Sequence, residues 1–499
     1  MPRAGFKLAP GIDVELERPD SIFLPGDIVN GNVVINSITG LAGGQNNVHI
    51  NFYGRSKVLI VRSNGQTKDY YRGRAILFQQ KFFLEGPPVS EASGRESWGL
   101  SVQIPTHTVP GEYKYNDTWK KASKYLNNTE MDITQHPLPG VFYYCGEFGG
   151  TKGECYVEYV MEVSLRSKRE VQDPSDKKRK KDPDVPTTIF PLVVRTRSSE
   201  HPINYSHYLQ GVPEEVRIKT LKLLPQFATE QLGFKQNLKS VFRPSKIPNY
   251  FFDLKITCPS TIQLDNPSHF PFRLSIIPKS GSSGKGSSSS GSILNYGDTS
   301  NLPDVKISAF SLCLKMWSMM RARGVLKRDS VTERNHDFAI SPDLPPHMVG
   351  YVIPREGGTG VSGYRHPDES NDLMSGEQYL DLGQILNLQV SRTHSTRLKG
   401  ERNDFKTKRP LWPSFKTYNI HCCYEWKYKI TIICAGETQV VKGKQKVELI
   451  GPSEEQEQNL SLDKQGIKKN YGELMAGAEG AVVILGLVGQ VVAEAVNNA

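Results

Sequence analysis

Two short stretches hold residues whose types and spacing could do chemistry, and in both cases the chemistry is binding. The first is Lys177-Lys178-Arg179-Lys180-Lys181, five cations in a row. Such a run could bind anionic lipid headgroups or act as a nuclear-import signal. It reads equally as a solvated loop, flanked by Asp176 and Asp182. The second is Ile247-Pro248-Asn249-Tyr250, which contains the only P-x-Y of the chain. A segment of this kind can dock in an aromatic groove as a polyproline turn. Here Phe251-Phe252 follow at once, so the expected use of Pro248 and Tyr250 is structural, at the start of a strand.

Bond-making chemistry has no counterpart. No G-x-S-x-G, P-loop, H-E-x-x-H or protein-kinase signature occurs. Gly149-Gly150 and Gly357-Gly358-Thr359-Gly360 do not open a helix after a strand, so they read as turns. The eleven histidines are scattered, and His49 and His421 each stand alone within a strand-like run, where a histidine is packed or solvated. Seven cysteines include no C-x2-C pair, and Cys422 and Cys423 must point to opposite faces of a strand, which speaks against zinc. Their positions in strand-like runs fit reduced, buried cytosolic thiols. The expectation is a chain with no enzymatic activity, no cofactor and no metal.

The net charge of +10 admits nucleic acid, an acidic membrane surface or acidic partners. Much of the excess sits in loop-like segments rather than along a helix or between aromatic residues, so no nucleic-acid partner is expected. The opening MPRAGFKLAPGIDVE lacks an apolar core of the signal-peptide kind, which argues against secretion.

The elements that must position everything else are strands. A phrase P-x-S/T-I-x-L occurs at Pro19 to Leu24 and again at Pro259 to Leu264. Before the first copy Val14 and Leu16 alternate with Glu15 and Glu17, and after it comes Val33-Val34-Ile35. Around the second, Phe252, Leu254 and Ile256 alternate with polar residues, and Phe272, Leu274 and Ile276 follow. Period-2 alternation broken by proline and turn residues describes paired antiparallel strands, and a repeated unit implies two similar domains. Further strands are expected at residues 48–60 with a kink at Gly54, at 99–105, at 155–165 and at 190–194. In Val305 to Trp317 the apolar parity switches from odd to even, which predicts a bulge near Ala309. The longest strand is expected from Ile420 to Cys434, with KGKQKVELI as its hairpin partner.

The intervening segments read differently. One short helix is expected within 113–135, residues 166–186 and 281–292 are polar excursions, and 321–347 and 353–377 are loop-rich. The expected organisation is a β-sandwich over 10–200, a connector over 201–229, a second β-sandwich over 230–451 and a tail over 452–499. The uncharged part of the tail, Gly480 to Ala493, is shorter than the roughly 20 residues of a membrane span. It docks on a surface or stays loose, with peripheral membrane insertion as the alternative.

Taken together, FLPGDIVNGNVVI, NFYGRSKV, LPGVFYY and CYVEYVMEVSL resemble successive stretches of the arrestin N-terminal domain, in its fungal alpha-arrestin form. YFFDLKITCPSTIQLDNPSHFPFRLSIIP, VKISAFSLCLKMW and FKTYNIHCCYEWKYKITIICAGE resemble the arrestin C-terminal domain. The resemblance implies an all-β fold of two tandem immunoglobulin-like antiparallel β-sandwiches. It also implies a cytoplasmic trafficking adaptor, recruited to the plasma membrane or endosomes, that binds the cytosolic tails of transporters or receptors. Such adaptors recruit a HECT-type ubiquitin ligase through PPxY or LPxY motifs. This chain contains neither motif, and Ile247 stands where the first residue is required. The ligase would then arrive through another adaptor. A retromer-type structural subunit, which shares the double sandwich, is the alternative.

Overall fold

The computed structural model describes residues 9–17, 22–36, 47–84, 87–90, 94–108, 137–148, 150–166, 186–224, 227, 247–279, 302–324, 329–341, 343–356, 378–397 and 406–457. Strands dominate them. The first half carries β1 (Ile12–Leu16), β2 (Ile28–Asn36), β3 (Asn47–Asn64), β4 (Thr67–Phe83), β5 (Val89–Ser90), β6 (Arg95–Gln103), β7 (Phe142–Phe148), β8 (Thr151–Arg166) and β9 (Thr187–Leu192). Next come β10 (Leu209–Lys219), β11 (Asn249–Pro259), β12 (Thr261–Gln263), β13 (Arg273–Pro278), β14 (Val305–Gly324) and β15 (Asp329–Ala339). The chain continues with β16 (Leu380–Asp381), β17 (Thr393–Arg397), β18 (Lys406–Pro410), β19 (Phe415–Lys416), β20 (Ile420–Cys434) and β21 (Glu437–Ile450). Among the described residues helix is limited to Leu382–Ile385, a turn at 454–457 and short 3-10 turns.

Three sheets result, one of order β1-β2-β6-β5 and one of order β10-β11-β13-β16. The third runs β12-β21-β20-β14-β4-β3-β8-β7 and so passes from the second half into the first. Alternation decides which residues these sheets bury. β1 reads buried-exposed throughout, and in β20 every even position from Ile420 to Cys434 is buried. In the second half the two inner faces meet through aromatic rings. Phe270 stacks on Trp426 at 5.1 Å, and Phe272 lies 5.0 Å from Phe310 and 6.0 Å from Tyr428. Each such pair adds about 0.5–1.5 kcal/mol beyond its area burial. In the first half the Thr188 hydroxyl on β9 donates to the Ile12 carbonyl and accepts from the Ala9 amide, tying β9 to the β1 edge.

Both irregularities expected from the sequence fall in place. The β3–β4 register shifts between Gly54 and Arg55. A Cβ at Gly54 would lie 2.8 Å from both Phe78 Cε1 and Tyr159 Cε1, so those rings can close over the backbone only at glycine. The β14–β20 register shifts between Ile307 and Ala309, where the apolar parity changes.

Two segments differ from expectation. The stretch 201–229, expected as a connector, contains β10, which pairs with β11 from Leu209↔Pro259 to Lys219↔Asn249. Pro213 and the charged residues Glu214, Glu215 and Arg217 imitate a linker, but they are also what an edge strand carries. The stretch 321–347, expected as loop, contains β15, paired with β14 from Cys313↔Ala339 to Arg323↔Asp329. The sequence DSVTERNHDFA has no period-2 alternation, so only its partner strand reveals it. The expected helix within 113–135, the 281–292 linker, and the tail beyond residue 457 lie outside the described residues.

Candidate functional site

Lys177, Lys178, Arg179, Lys180 and Lys181 also lie outside the described residues. Tyr250, the second residue of β11, lies opposite Ile218, is 4% exposed, and packs on Phe252 with ring centres 5.0 Å apart. Pro248 just before it is buried. The structure places Tyr250 in the core.

Charged side chains gather on the outward face of β3 and β8. Glu158 pairs with Arg55 and, at 3.3 Å, with Lys57. Glu162 accepts from Asn51 Nδ2 at 2.7 Å and from the Tyr53 hydroxyl at 2.6 Å. Burial lowers the Lys57 pKa, with Glu158 opposing, and burial followed by the Glu162 hydrogen bond raises that of Tyr53. Each carboxylate already serves two donors, so neither is poised as a base. Cys155, Cys258, Cys422 and Cys434 are buried. Burial pushes the Cys258, Cys422 and Cys434 thiols up to about 12, so they remain protonated and unreactive at neutral pH. An open cleft of about 530 Å³ is lined in part by His269, Arg273 and Asp381. There Asp381 already pairs with Arg273 and accepts from the Phe272, Gly383 and Gln384 amides.

The arrangement that long-range geometry builds most deliberately is the joint between the two halves. On one side β4 meets β14 through two residue pairs, Arg72↔Arg323 and Tyr71↔Gly324. Beside them the Ser56 hydroxyl donates to Asn419 Oδ1 at 2.6 Å, Thr417 donates to the same oxygen at 3.2 Å, and the Asn419 carbonyl accepts from the Arg321 amide at 3.0 Å. Ser56, Thr417 and Asn419 are fully buried, and Ala75 and Tyr418 form a small apolar cluster of their own there. Gly73 permits this approach, since a Cβ would lie 2.8 Å from the Arg321 carbonyl oxygen. Nearby Phe142 meets Trp412 at 5.7 Å and Phe415 at 4.8 Å, both edge to face.

On the other side the joint is charged. Arg392 pairs with Asp265 and, at 2.6 Å, with Glu457; Glu457 also reaches Arg195 at 3.7 Å. Arg197 pairs with Glu454 at 2.8 Å. The Ser198 amide and hydroxyl donate to the carbonyls of Pro452 and Gly451, and the Glu454 amide donates to the Ser199 carbonyl. Gly451 is required here, because a Cβ would lie 2.2 Å from the Thr196 carbonyl oxygen. Burial, then Arg392, lowers the Arg195 pKa, while Glu457 and Asp265 oppose that shift. The residues just after β21 thus clasp the end of the first half to the second. Sequence reading missed this cluster because its members lie in four separate segments.

The arrangement offers no nucleophile, base and electrophile around a common point. What it does is tie strands of the first half to segments of the second half. In sequence comparison no protein-family model matches the chain, and no curated protein matches it.

Proposed function

We propose that this chain is a non-enzymatic trafficking adaptor built as two tandem immunoglobulin-like sandwiches of the arrestin type. In this reading it is a cytoplasmic protein recruited to the plasma membrane or endosomes. There it binds cytosolic segments of transporters or receptors and links them to ubiquitination and endocytosis. The observation that supports it best is the doubly fastened joint, polar and buried at Ser56–Asn419 and charged at Arg195–Glu457–Arg392–Asp265. Holding two sheet bodies in one orientation serves simultaneous contact with more than one partner, which is what an adaptor requires. With Tyr250 in the core, a HECT-type ligase would come through another adaptor rather than through IPNY.

Crosslinking followed by affinity purification tests the reading. Membrane transporters or receptors recovered at substoichiometric levels, together with ubiquitination factors, are the expected result. A stable complex of fixed stoichiometry with soluble subunits would replace it with the retromer-type structural reading.

A further inference from the structure

The β20–β21 hairpin turns at Ala435 and Gly436, both at positive φ. Its inner face carries Trp426, Tyr428 and Ile430 into the core, so alternation sends Lys427 and Lys429 outward. The antiparallel register then sets Lys444 directly across from Lys427 and Lys442 directly across from Lys429, with Lys446 across from Glu425. All five lysines are exposed. Lys306 and Lys315 on β14 extend the same face, opposite Ile433 and Glu425.

Like charges directly opposite in an antiparallel pair are destabilising. Lysines on an edge strand also discourage sheet-to-sheet aggregation, which would account for β21. That explanation does not reach Lys427 and Lys429, because β20 is interior, with β14 on one side and β21 on the other. Lys427 reaches Asp337 at 3.6 Å, and among the described residues no ion pair engages Lys429, Lys442, Lys444 or Lys446. The fold therefore concentrates lysines on one face, where Glu425 and Asp337 are acidic neighbours, with Lys427–Lys444 and Lys429–Lys442 set directly opposite at some cost in stability.

The chemistry of the face selects its partner. β20 and β21 contain lysine but no arginine, so they offer mobile point charges and not the planar fork that grips one phosphate or carboxylate. A pleated sheet surface also provides no groove to align a peptide. Toward the hairpin tip Val440, 46% exposed and opposite Thr431, adds an apolar contact on the same face. We propose that the outer face of the β20–β21 hairpin docks on an anionic phospholipid bilayer. The lysines involved are other residues than Lys177 to Lys181, and the test needs no cargo, so its outcome is separable from that of the adaptor reading.

The test is sedimentation of the full chain with phosphatidylcholine vesicles, with and without phosphatidylserine. The face variant is K429Q/K442Q/K444Q/K446Q. The control K68Q/K81Q/K152Q/K219Q removes the same charge from exposed lysines elsewhere. Each lysine near an anionic surface changes partitioning about fivefold. The face variant should therefore lose at least about tenfold in binding to the phosphatidylserine vesicles, with the control close to wild type. Arginine at the four positions should restore binding, and salt should weaken it. Wild-type binding that ignores phosphatidylserine, or equal losses in the face variant and the control, would overturn the proposal. So would a face variant that binds as wild type does. A glutamate-rich peptide that binds the same face more tightly than the vesicles would assign the surface to an acidic protein segment instead.

Discussion

Replacing Asn419 by alanine should uncouple the two halves before it unfolds either. Asn419 Oδ1 accepts from Ser56 across the joint and from Thr417 beside it, at 2.6 and 3.2 Å, and all three residues are fully buried. Two neutral hydrogen bonds contribute about 0.5–1.5 kcal/mol each. The Ser56 hydroxyl, left buried without its acceptor, adds about 1–3 kcal/mol, whereas Thr417 still accepts from the Ile420 amide. The expected loss is about 2–6 kcal/mol. Ser56→Ala alone should cost about 1 kcal/mol, because Asn419 keeps Thr417. The double variant should cost less than the sum of the two, with a coupling of about 1 kcal/mol. Calorimetry should show one transition in the wild type separating into two in Asn419→Ala. Amide exchange should accelerate first at residues 71–75 and 321–324. Strict additivity, with junction amides as slow as in the wild type, would refute the assignment of this hydrogen bond as the fastening.

Gly443→Ala should cost about 1–3 kcal/mol in urea unfolding, since a Cβ there would lie 2.1 Å from Tyr428 Oη and 2.3 Å from Cζ. The cost should largely vanish in a Tyr428→Leu background, where the ring no longer crosses the glycine. Burial first, then Lys416 and Lys446, hold His421 down at about 4 from its ordinary 6.5. The unfolded chain therefore binds this proton more readily than the fold does. The stability contribution is complete above pH 6.5 and is lost as pH falls toward 4, by about 1–2 kcal/mol after solvent screening. His421→Gln should flatten that part of the stability profile. Tyr250→Ala should lower stability by about 3 kcal/mol through loss of a core aromatic. Isolated WW domains should give no measurable titration with the wild type, and low-micromolar binding abolished by that substitution would refute the core assignment.

Most strands are legible in the sequence because one face of each is buried, and burial of one face writes a period of 2 into the residues. β20 is the clearest case, and even the bulge beside Ala309 shows as a change of parity. β15 is illegible because DSVTERNHDFA carries no such alternation, and its hydrogen bonds come from a neighbour that the sequence does not name. β10 is disguised because Pro213 and its charges, the marks of an edge strand, are also the marks of a linker. The lysines of β20 and β21 could each be placed on a face, but their opposition depends on the register set by the Ala435-Gly436 turn. The charged joint is the least legible feature. Arg195, Asp265, Arg392 and Glu457 come from distant segments, and each alone resembles an ordinary surface charge.

The repeated phrase nevertheless leads to that joint. In the first copy Phe23 leaves its antiparallel surroundings and makes a parallel bridge to Val194. In the second, β12 pairs in parallel with the end of β21, Thr261–Gln263 against Glu448–Ile450. The letters of the two copies do not keep the same faces, for Ile22 is 39% exposed whereas Ile262 is fully buried. What the copies share is a parallel contact, the first with Val194 just beyond β9 and the second with the end of β21. The residues immediately beyond these closures are Arg195 after Val194, Asp265 after Leu264, and Gly451 onward after Ile450. Those are the segments that carry the charged joint together with Arg392. Shifting either closure by one residue would turn its ladder over and move Arg195 or Asp265 away from its partners. The joint therefore depends on the same two short parallel contacts that the repeat encodes, and disrupting Phe23 or Ile262 should loosen the halves as well as the local core.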